Sequence, residues 1–138
     1  MNSSPESRDS HYFSESPAGP SRPSEFDIDV NGRTLTLESD VGVFSRHGLD
    51  KGTAVLLDIM SRGNYPTIAD GSFLADIGCG TGAIALTLAS LYPTCTVIAV
   101  DVNERARALC ASNARKNGLS NVKVLAPEEL DESIRYAL

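Results

Sequence analysis

The chain has 138 residues, of which 41% are apolar, and its formal net charge at pH 7 is −6. This length allows one domain with its own core and gives no reason to expect a second domain. No apolar run approaches the roughly 20 residues that a membrane-spanning helix needs, and the acidic balance gives no support to a nucleic-acid partner, because phosphate binding usually requires a basic face.

The N-terminal residues 1–24 have the composition of a mobile leader. Eight of them are serine and four are proline, and such a segment cannot bury enough apolar surface to order itself. It lacks the apolar core of a secretory signal, and its three acidic residues outnumber its two arginines, unlike a mitochondrial transit peptide. We therefore expect a cytoplasmic protein.

Residues 25–63 are predicted to form a β-hairpin followed by a helix. Apolar residues alternate with polar ones on both sides of Asn31-Gly32, a pattern typical of two strands joined by a type I′ turn. In LDKGTAVLLDIMSRG, Asp50 is placed to cap a helix and Gly63 to end it. Four apolar residues of this segment fall at helical spacing: Val55, Leu56, Ile59 and Met60.

Residues 64–138 are predicted to form a unit that starts within a loop over 63–71 and continues as β-α-β-α-β. The strands are SFLAD, TVIAVD and NVKVLA, and the helices between them are GAIALTLASLY and NERARALCASNARKNG. Asn103 can cap the second helix and Gly118 can follow its end in a left-handed conformation. One face of that helix gathers Ala106, Leu109, Cys110, Asn113 and Ala114. Apolar strands that alternate with helices predict an α/β fold whose parallel sheet is covered on both faces.

The three cysteines are expected to be reduced packing residues. Cys79, Cys95 and Cys110 are odd in number, lie far apart and form no C-x-x-C pair. This spacing is typical neither of a disulfide framework nor of a zinc site. We expect no bound metal.

The segment DIGCGTG, residues 76–82, follows the first strand of the β-α-β-α-β unit and opens its first helix. The loop lies at the carboxyl end of the strands, where open α/β sheets bind ligands. Glycines permit tight turns and close ligand approach, and the helix presents unpaired N–H groups. Three alternate glycines exceed what a strand-to-helix turn requires, so the loop predicts a site for a nucleotide-like ligand.

Spacing alone leaves two classes of ligand open. GCGTGA fits the dinucleotide pattern G-x-G-x-x-G/A, and Asp101, 19 residues past Gly82, ends the next strand where an acid would bind ribose hydroxyls. Charge separates the two classes, because Asp76 would repel a pyrophosphate at the helix N-terminus. S-adenosylmethionine carries an ammonium, a sulfonium and a carboxylate and has no phosphate. Asp76 therefore favours S-adenosylmethionine.

The sequence D-x-G-x-G-x-G, followed by Asp101 after the next strand, resembles the class I S-adenosylmethionine-dependent methyltransferases. The wider segments HYFSESPAGPSRP, VGVFSRHGLDKGTAVLL, LADIGCGTGAIAL and VIAVDVNERARALCASNARKNGL resemble the methyltransferase small family, close to its bacterial small-subunit ribosomal RNA guanine-N2 methyltransferases. The resemblance implies a Rossmann-like parallel sheet flanked by helices and preceded by the hairpin. It also implies methyl transfer to a guanine exocyclic amine, with ribosomal RNA or the small ribosomal subunit as partner.

The same resemblance assigns roles to individual residues of the cofactor site. It implies that Asp76 faces the methionine ammonium, that Asp101 accepts both ribose hydroxyls and that Val102 packs on the adenine. Three glycines are implied to line the methionine and the ribose: Gly78, Gly80 and Gly82. Three residues of the preceding segments are implied to close over the ligand: Phe44, Ser45 and Thr53.

The chain departs from the family pattern at two places. Ala126-Pro127 stand where members commonly place an acid or polar residue near the adenine amino group, and Glu128 is a weak substitute. The Asn-Pro-Pro-aromatic motif that holds the target amine is expected after a fourth strand, whose opening residues are Arg135 to Leu138. We therefore expect this chain to hold the cofactor half of the domain, incomplete at the C-terminus, and we assign no catalytic residue.

Two alternatives stay open from the sequence. The first is a fragment of a dinucleotide-binding oxidoreductase, against which Asp76 argues. The second is a binding or interaction module that keeps the cofactor site and transfers no methyl group.

Overall fold

The structure is a computed structural model, and it describes residues 23–40 and 51–130. Within these ranges the helices and strands follow one another as β1 (Pro23–Val30), β2 (Arg33–Asp40), α1 (Lys51–Ser61), β3 (Phe73–Ile77), α2 (Ala83–Leu91), β4 (Thr96–Val100), α3 (Glu104–Lys116) and β5 (Val122–Leu125). None of the helices in the described ranges is long and apolar enough to cross a membrane.

The predicted hairpin is confirmed. β1 and β2 pair antiparallel over their whole length, and Val30 pairs with Arg33 next to the turn. Asn31 and Gly32 both have positive φ, of 54° and 85°, as a type I′ turn requires. One face of the hairpin is buried in the core of the molecule through Ile28, Val30, Leu35 and Leu37.

Helix α1 is present, but the sequence did not show which of its sides is buried. Leu57 is the buried apolar side chain, at 3% exposure, whereas Val55, Leu56 and Ile59 are exposed. The helix touches the rest of the described chain along a narrow side, against β1 and α2. Gly63 follows its end as predicted, with a φ of 87° and its N–H 3.0 Å from the carbonyl of Met60. The predicted cap, Asp50, lies outside the described residues.

Strands β3, β4 and β5 form a parallel sheet in that order, as the β-α-β-α-β pattern predicts. The central strand β4 is buried on both sides, with Val97, Ile98, Ala99 and Val100 at 2% exposure or less. β3 occupies one edge of this sheet within the described part of the chain. The loop over 63–71 contains no helix or strand, also as predicted.

The two faces of the sheet are covered differently. Leu74, Val97 and Ala99 share one core with α2, α3 and the hairpin. The opposite face carries a smaller cluster of Ile98, Val100 and Leu125, against which Leu130 packs. On that face β3 presents Phe73 and Ile77, which are 51% and 65% exposed. The expected cover on both faces is therefore found at β4, while no described helix or strand covers the β3 end of the second face.

Helix α3 agrees closely with the sequence pattern. Asn103 is its N-cap and accepts a hydrogen bond from the Ala106 N–H at 3.0 Å. Gly118 has a φ of 68° after its last turn. Of the five residues predicted on its buried face, Leu109 is half-buried. The other four are buried: Ala106, Cys110, Asn113 and Ala114.

Candidate functional site

The glycine loop is hydrogen-bonded to the carboxyl end of β4. The N–H groups of Gly78 and Cys79 both donate to the carbonyl of Val100, at 2.7 and 2.9 Å. The N–H of Gly80 donates to the Asp101 carboxylate at 2.9 Å. These three bonds bring the acidic end of β4 to the loop that follows β3, so the two sequence-predicted halves of the site are adjacent.

Asp76 lies at the amino end of α2, although it belongs to β3. Its side chain is buried, at 8% exposure, and its Oδ2 accepts a hydrogen bond from the Ala85 N–H at 3.1 Å. Burial raises the pKa of this carboxyl, the Ala85 hydrogen bond opposes the shift, and the charge of Asp101 raises the pKa further. Asp76 thus carries its charge at a free-energy cost that a cation beside it would offset.

Asp101 uses both carboxylate oxygens to organise the backbone. Oδ2 accepts from Gly80 and Oδ1 accepts from the N–H of Asn103, each at 2.9 Å. A carboxylate has about four acceptor positions, so these two bonds leave capacity for two further donors. The neighbouring Val102 is 67% exposed and offers an apolar surface beside the acid.

The three glycines of the loop differ in what surrounds them. Gly78 and Gly80 have φ values of 81° and 55°, and a Cβ at either position would meet no atom within 4 Å. Gly82 has a φ of 96°, and its Cβ would lie 2.8 Å from Cys110 Sγ and 3.0 Å from Leu86 Cδ1. The first two glycines therefore leave open space next to the loop, whereas Gly82 allows α3 to approach it closely.

Helix α3 supports the loop from behind. Asn113 donates from Nδ2 to the Thr81 carbonyl at 2.9 Å. The Cys79 thiol contacts that of Cys110, and this contact together with burial raises the pKa of Cys79. Because the thiolate is the reactive form of cysteine, the Cys79 thiol is a packing group here. All three cysteines are buried, which confirms their predicted packing role.

The sequence pattern did not reveal the function of Asn113. It placed this residue correctly on the buried face of α3 but gave it no role. The available signal was an amide on a face otherwise made of alanine, leucine and cysteine, because a buried amide must have hydrogen-bond partners. The structure supplies those partners from the loop and the hairpin.

The remaining predicted site residues are only partly covered by the structure. Thr53 is half-buried in the first turn of α1, and its contact with a ligand stays a prediction. Phe44 and Ser45 lie outside the described residues. Glu128 is exposed on a helical turn over 127–130. Within the described ranges, no cluster of three or more His, Cys, Asp or Glu side chains is placed to hold a metal ion.

Comparison with known proteins places the chain among methyltransferases. A family model described as "Methyltransferase small domain" matches residues 34–136. The chain is 39% identical over 114 residues to "Uncharacterized protein YbxB" of Bacillus subtilis (strain 168), covering 83% of this chain and 54% of that protein. It is 36% identical over 110 residues to "Ribosomal RNA small subunit methyltransferase C" of Shewanella halifaxensis (strain HAW-EB4), covering 80% of this chain and 30% of that protein.

Solved structures agree with this result. The T. thermophilus 16S rRNA N2 G1207 methyltransferase, in complex with AdoMet and guanosine, superposes with a TM-score of 0.63 at 26% identity, covering 79% of this chain and 29% of that chain. M. jannaschii TYW2 in complex with AdoMet shares the fold, with a TM-score of 0.55 at 19% identity over 79% of this chain and 45% of that chain. The predicted Rossmann-like methyltransferase fold is confirmed. The chain spans about half the length of the Bacillus relative and less than a third of the Shewanella relative.

Proposed function

The chain belongs to the methyltransferase small domain family, as its motifs predict, and on that premise we propose that it binds S-adenosylmethionine as the methyl donor of a methyltransferase. We further propose that the acceptor is a guanine exocyclic amine of ribosomal RNA, and that the protein works in the cytoplasm. The Shewanella relative is named a ribosomal RNA small subunit methyltransferase, and the T. thermophilus structure contains AdoMet and guanosine.

The observation that carries the cofactor proposal is the pair of carboxylates at the glycine loop. Asp101 is close enough to Asp76 for its charge to raise the pKa of the Asp76 carboxyl. A pyrophosphate at the amino end of α2 would meet the Asp76 carboxylate, at a cost of a few kcal/mol at an effective dielectric near 20. A ligand with an ammonium group and ribose hydroxyls would instead compensate both acids. This charge pattern argues against the dinucleotide alternative.

The described residues fit the groups of S-adenosylmethionine. Asp76 would face the ammonium, and the free acceptor positions of Asp101 would take the ribose hydroxyls. The open space at Gly78 and Gly80 would admit the methionine part, and exposed Val102 would lie against the adenine. Gly82 would take part through its backbone, since its Cα is enclosed by Cys110 and Leu86. Thr53, Phe44 and Ser45 are retained as residues that would cover the ligand.

The bound cofactor would supply an electrophilic methyl group on a sulfonium. The residues of this chain would contribute by orientation, because fixing the ligand at both the amino-acid end and the ribose limits the directions in which the methyl group points. No general base is assigned within the chain. We therefore propose that the described residues form the cofactor half of the site and that the target amine is held by residues beyond them.

Asp101→Ala tests the cofactor proposal. Loss of charged hydrogen bonds to the ribose should weaken binding of S-adenosylhomocysteine by about 1.5 to 3 kcal/mol, measured by isothermal titration calorimetry. Asp58→Ala is the matched control, because Asp58 is an exposed acid paired with Arg62 on α1. Preferential binding of NAD by the unmodified chain, or equal affinity of the Asp101→Ala variant, would refute the assignment.

The acceptor proposal needs a transfer assay. Small ribosomal subunits that lack guanine-N2 methylation would be incubated with labelled S-adenosylmethionine and either this chain or a chain extended by the C-terminal part of the Bacillus relative. We expect label in the ribosomal RNA with the extended chain alone. Transfer by the 138 residues themselves would show that a residue within them holds the target amine, and no transfer by either chain would refute the acceptor.

A further inference from the structure

The hairpin is attached to the sheet unit through two asparagine side chains of α3. Asn113 Oδ1 accepts from the Glu38 N–H at 2.9 Å, and Asn113 Nδ2 donates to the Glu38 carbonyl at 3.0 Å. One turn later Asn117 repeats the pattern on Thr36, with its Oδ1 3.1 Å from the N–H and its Nδ2 2.9 Å from the carbonyl. A carboxamide offers a donor and an acceptor side by side, as a neighbouring strand would. The two side chains therefore occupy the edge of β2 that faces away from β1.

The two asparagines differ in one contact. Asn113 uses its second Nδ2 hydrogen on the Thr81 carbonyl of the glycine loop at 2.9 Å, while Asn117 uses its second hydrogen on the backbone carbonyl of Asn113 at 2.8 Å. Asn113 is fully buried, so water cannot replace a lost partner. A single carboxamide thus joins the hairpin, α3 and the glycine loop.

We propose that Asn113 is a positioning residue that couples docking of the hairpin to the shape of the cofactor loop; this inference rests on the proposed function of that loop. Thr81 directly precedes Gly82, whose N–H donates to the Cys79 carbonyl at 2.9 Å and whose Cα lies against Cys110. When the hairpin is docked, its two bonds to Asn113 hold the carboxamide plane in the orientation that reaches Thr81.

The coupling acts in both directions. If the hairpin leaves α3, Asn113 loses both bonds to Glu38 and its orientation toward Thr81 is no longer fixed. If docking of the hairpin strengthens ligand binding to the loop by a given coupling free energy, then by linkage the ligand must stabilise the docked hairpin by that same coupling free energy. Hairpin residues with no contact to the ligand should therefore respond to its binding.

Three variants separate positioning from general destabilisation. Asn113→Ala removes the bonds to both the hairpin and the loop. Asn117→Ala removes the equivalent bonds to the hairpin alone. Asn121→Ala is a second control, because its Nδ2 bridges the carbonyls of Ala89, Tyr92 and Cys95 at the opposite end of the sheet. Thermal melting of each variant gives the loss of stability, and calorimetry with S-adenosylhomocysteine gives the dissociation constant Kd.

We expect Asn113→Ala to raise the Kd about five- to tenfold, as loss of one buried hydrogen bond to the loop implies, while both controls stay within about twofold despite lower melting temperatures. Hydrogen exchange provides a readout without ligand: the loop amides of Gly80 and Gly82 should exchange faster in Asn113→Ala than in either control. With ligand, protection of the β1–β2 ladder should increase in the unmodified chain and in Asn121→Ala, and not in Asn113→Ala.

The outcomes distinguish the two proposals. If the unmodified chain does not bind S-adenosylhomocysteine, the proposed function fails, and loop exchange in the free protein still decides the coupling. If the chain binds but Asn113→Ala changes Kd and loop exchange no more than Asn121→Ala does, the coupling is overturned and the function stands. Should Asn113→Ala not fold, the pair Asn113→Ser and Asn117→Ser repeats the comparison, because serine is too short to bridge both partners of the carboxamide and introduces no buried charge.

Discussion

Two strand-to-helix turns of the sheet perform the same structural task in different ways. Residues 78–82 connect β3 to α2, and residues 101–103 connect β4 to α3. The second turn needs three residues and no glycine, and Asn103 caps its helix locally. The first takes five residues, three of them glycines with positive φ. Its helix has no side-chain cap from Gly82 and instead receives the Asp76 carboxylate from within β3.

The second turn shows that a strand-to-helix connection needs no glycine, so the three glycines of the first turn point to ligand binding. A buried charge and several left-handed glycines both reduce stability. They occur together where Asp76 of β3 meets the first turn, and the second turn has neither. The comparison predicts that changes at the first turn alter binding and stability in opposite or unequal ways, whereas removal of the Asn103 cap in the second turn alters stability alone.

The largest expected effect is on stability, from Gly82→Ala. Its Cβ would lie 2.8 Å from Cys110 Sγ at a φ of 96°, so we expect a loss of about 2 to 4 kcal/mol in the free energy of unfolding. Cys110→Ala in the same chain should restore part of it by removing the sulfur. Gly80→Ala is the matched control, with open space around it, and should cost about 1 kcal/mol. Chemical denaturation measures all three, and equal losses at Gly80 and Gly82 would contradict the packing role of Gly82.

Asp76→Asn should weaken binding and strengthen the free fold. Asparagine keeps an acceptor for the Ala85 N–H, but it cannot pair with an ammonium as a charge. We expect affinity for S-adenosylhomocysteine to fall by about 1.5 to 3 kcal/mol, while the melting temperature of the ligand-free protein rises because no buried charge remains. Calorimetry and thermal melting measure the two effects, and Asp70→Asn is the control, because Asp70 is an exposed acid outside the glycine loop. A lower melting temperature for Asp76→Asn would argue that the buried carboxylate stabilises the fold.

The pH dependence of both quantities follows from the raised pKa of Asp76. The folded carboxyl holds its proton more tightly than the unfolded one, whose ordinary value is 3.8, so its contribution to stability is full below that value and is lost as pH rises through the folded pKa. The melting-temperature advantage of Asp76→Asn should therefore shrink on acidification. On acidification through the same range, which begins above pH 3.8, Asp76 takes up a proton and the ligand affinity of the unmodified chain should fall. An affinity independent of pH in that range would contradict the pairing of Asp76 with the ligand ammonium.

The smallest effect is expected in the second turn. Asn103→Ala removes the 3.0 Å bond to the Ala106 N–H and should cost about 1 kcal/mol of stability, as loss of an N-cap usually does. The backbone N–H that Asn103 gives to Asp101 is retained, so the Kd for S-adenosylhomocysteine should not change. Thermal melting measures the loss of stability, and calorimetry measures the Kd. A large change in Kd would mean that the Asn103 side chain also shapes the site.

Much of this architecture was predictable because it depends on residues near one another in the chain. Asn31-Gly32 can adopt the two positive φ values of a type I′ turn, so the hairpin followed from a dipeptide and its flanking alternation. The parallel sheet followed from apolar strands separated by helices. Asp76 and Asp101 could be placed at one edge of the sheet from the sequence, since neighbouring parallel strands that end in acids place those acids side by side.

What the sequence determined by itself is the list of elements, their order and the acidic glycine loop, because turn chemistry, capping and hydrophobic period are local properties. Tertiary structure alone decided three other matters. It chose Leu57 over Val55, Leu56 and Ile59 as the buried side of α1, since burial depends on what lies opposite. It made Gly82 a packing glycine through Cys110, 28 positions away. It gave Asn113 its partners on the hairpin and the loop, because a buried amide takes the backbone groups that folding brings within reach.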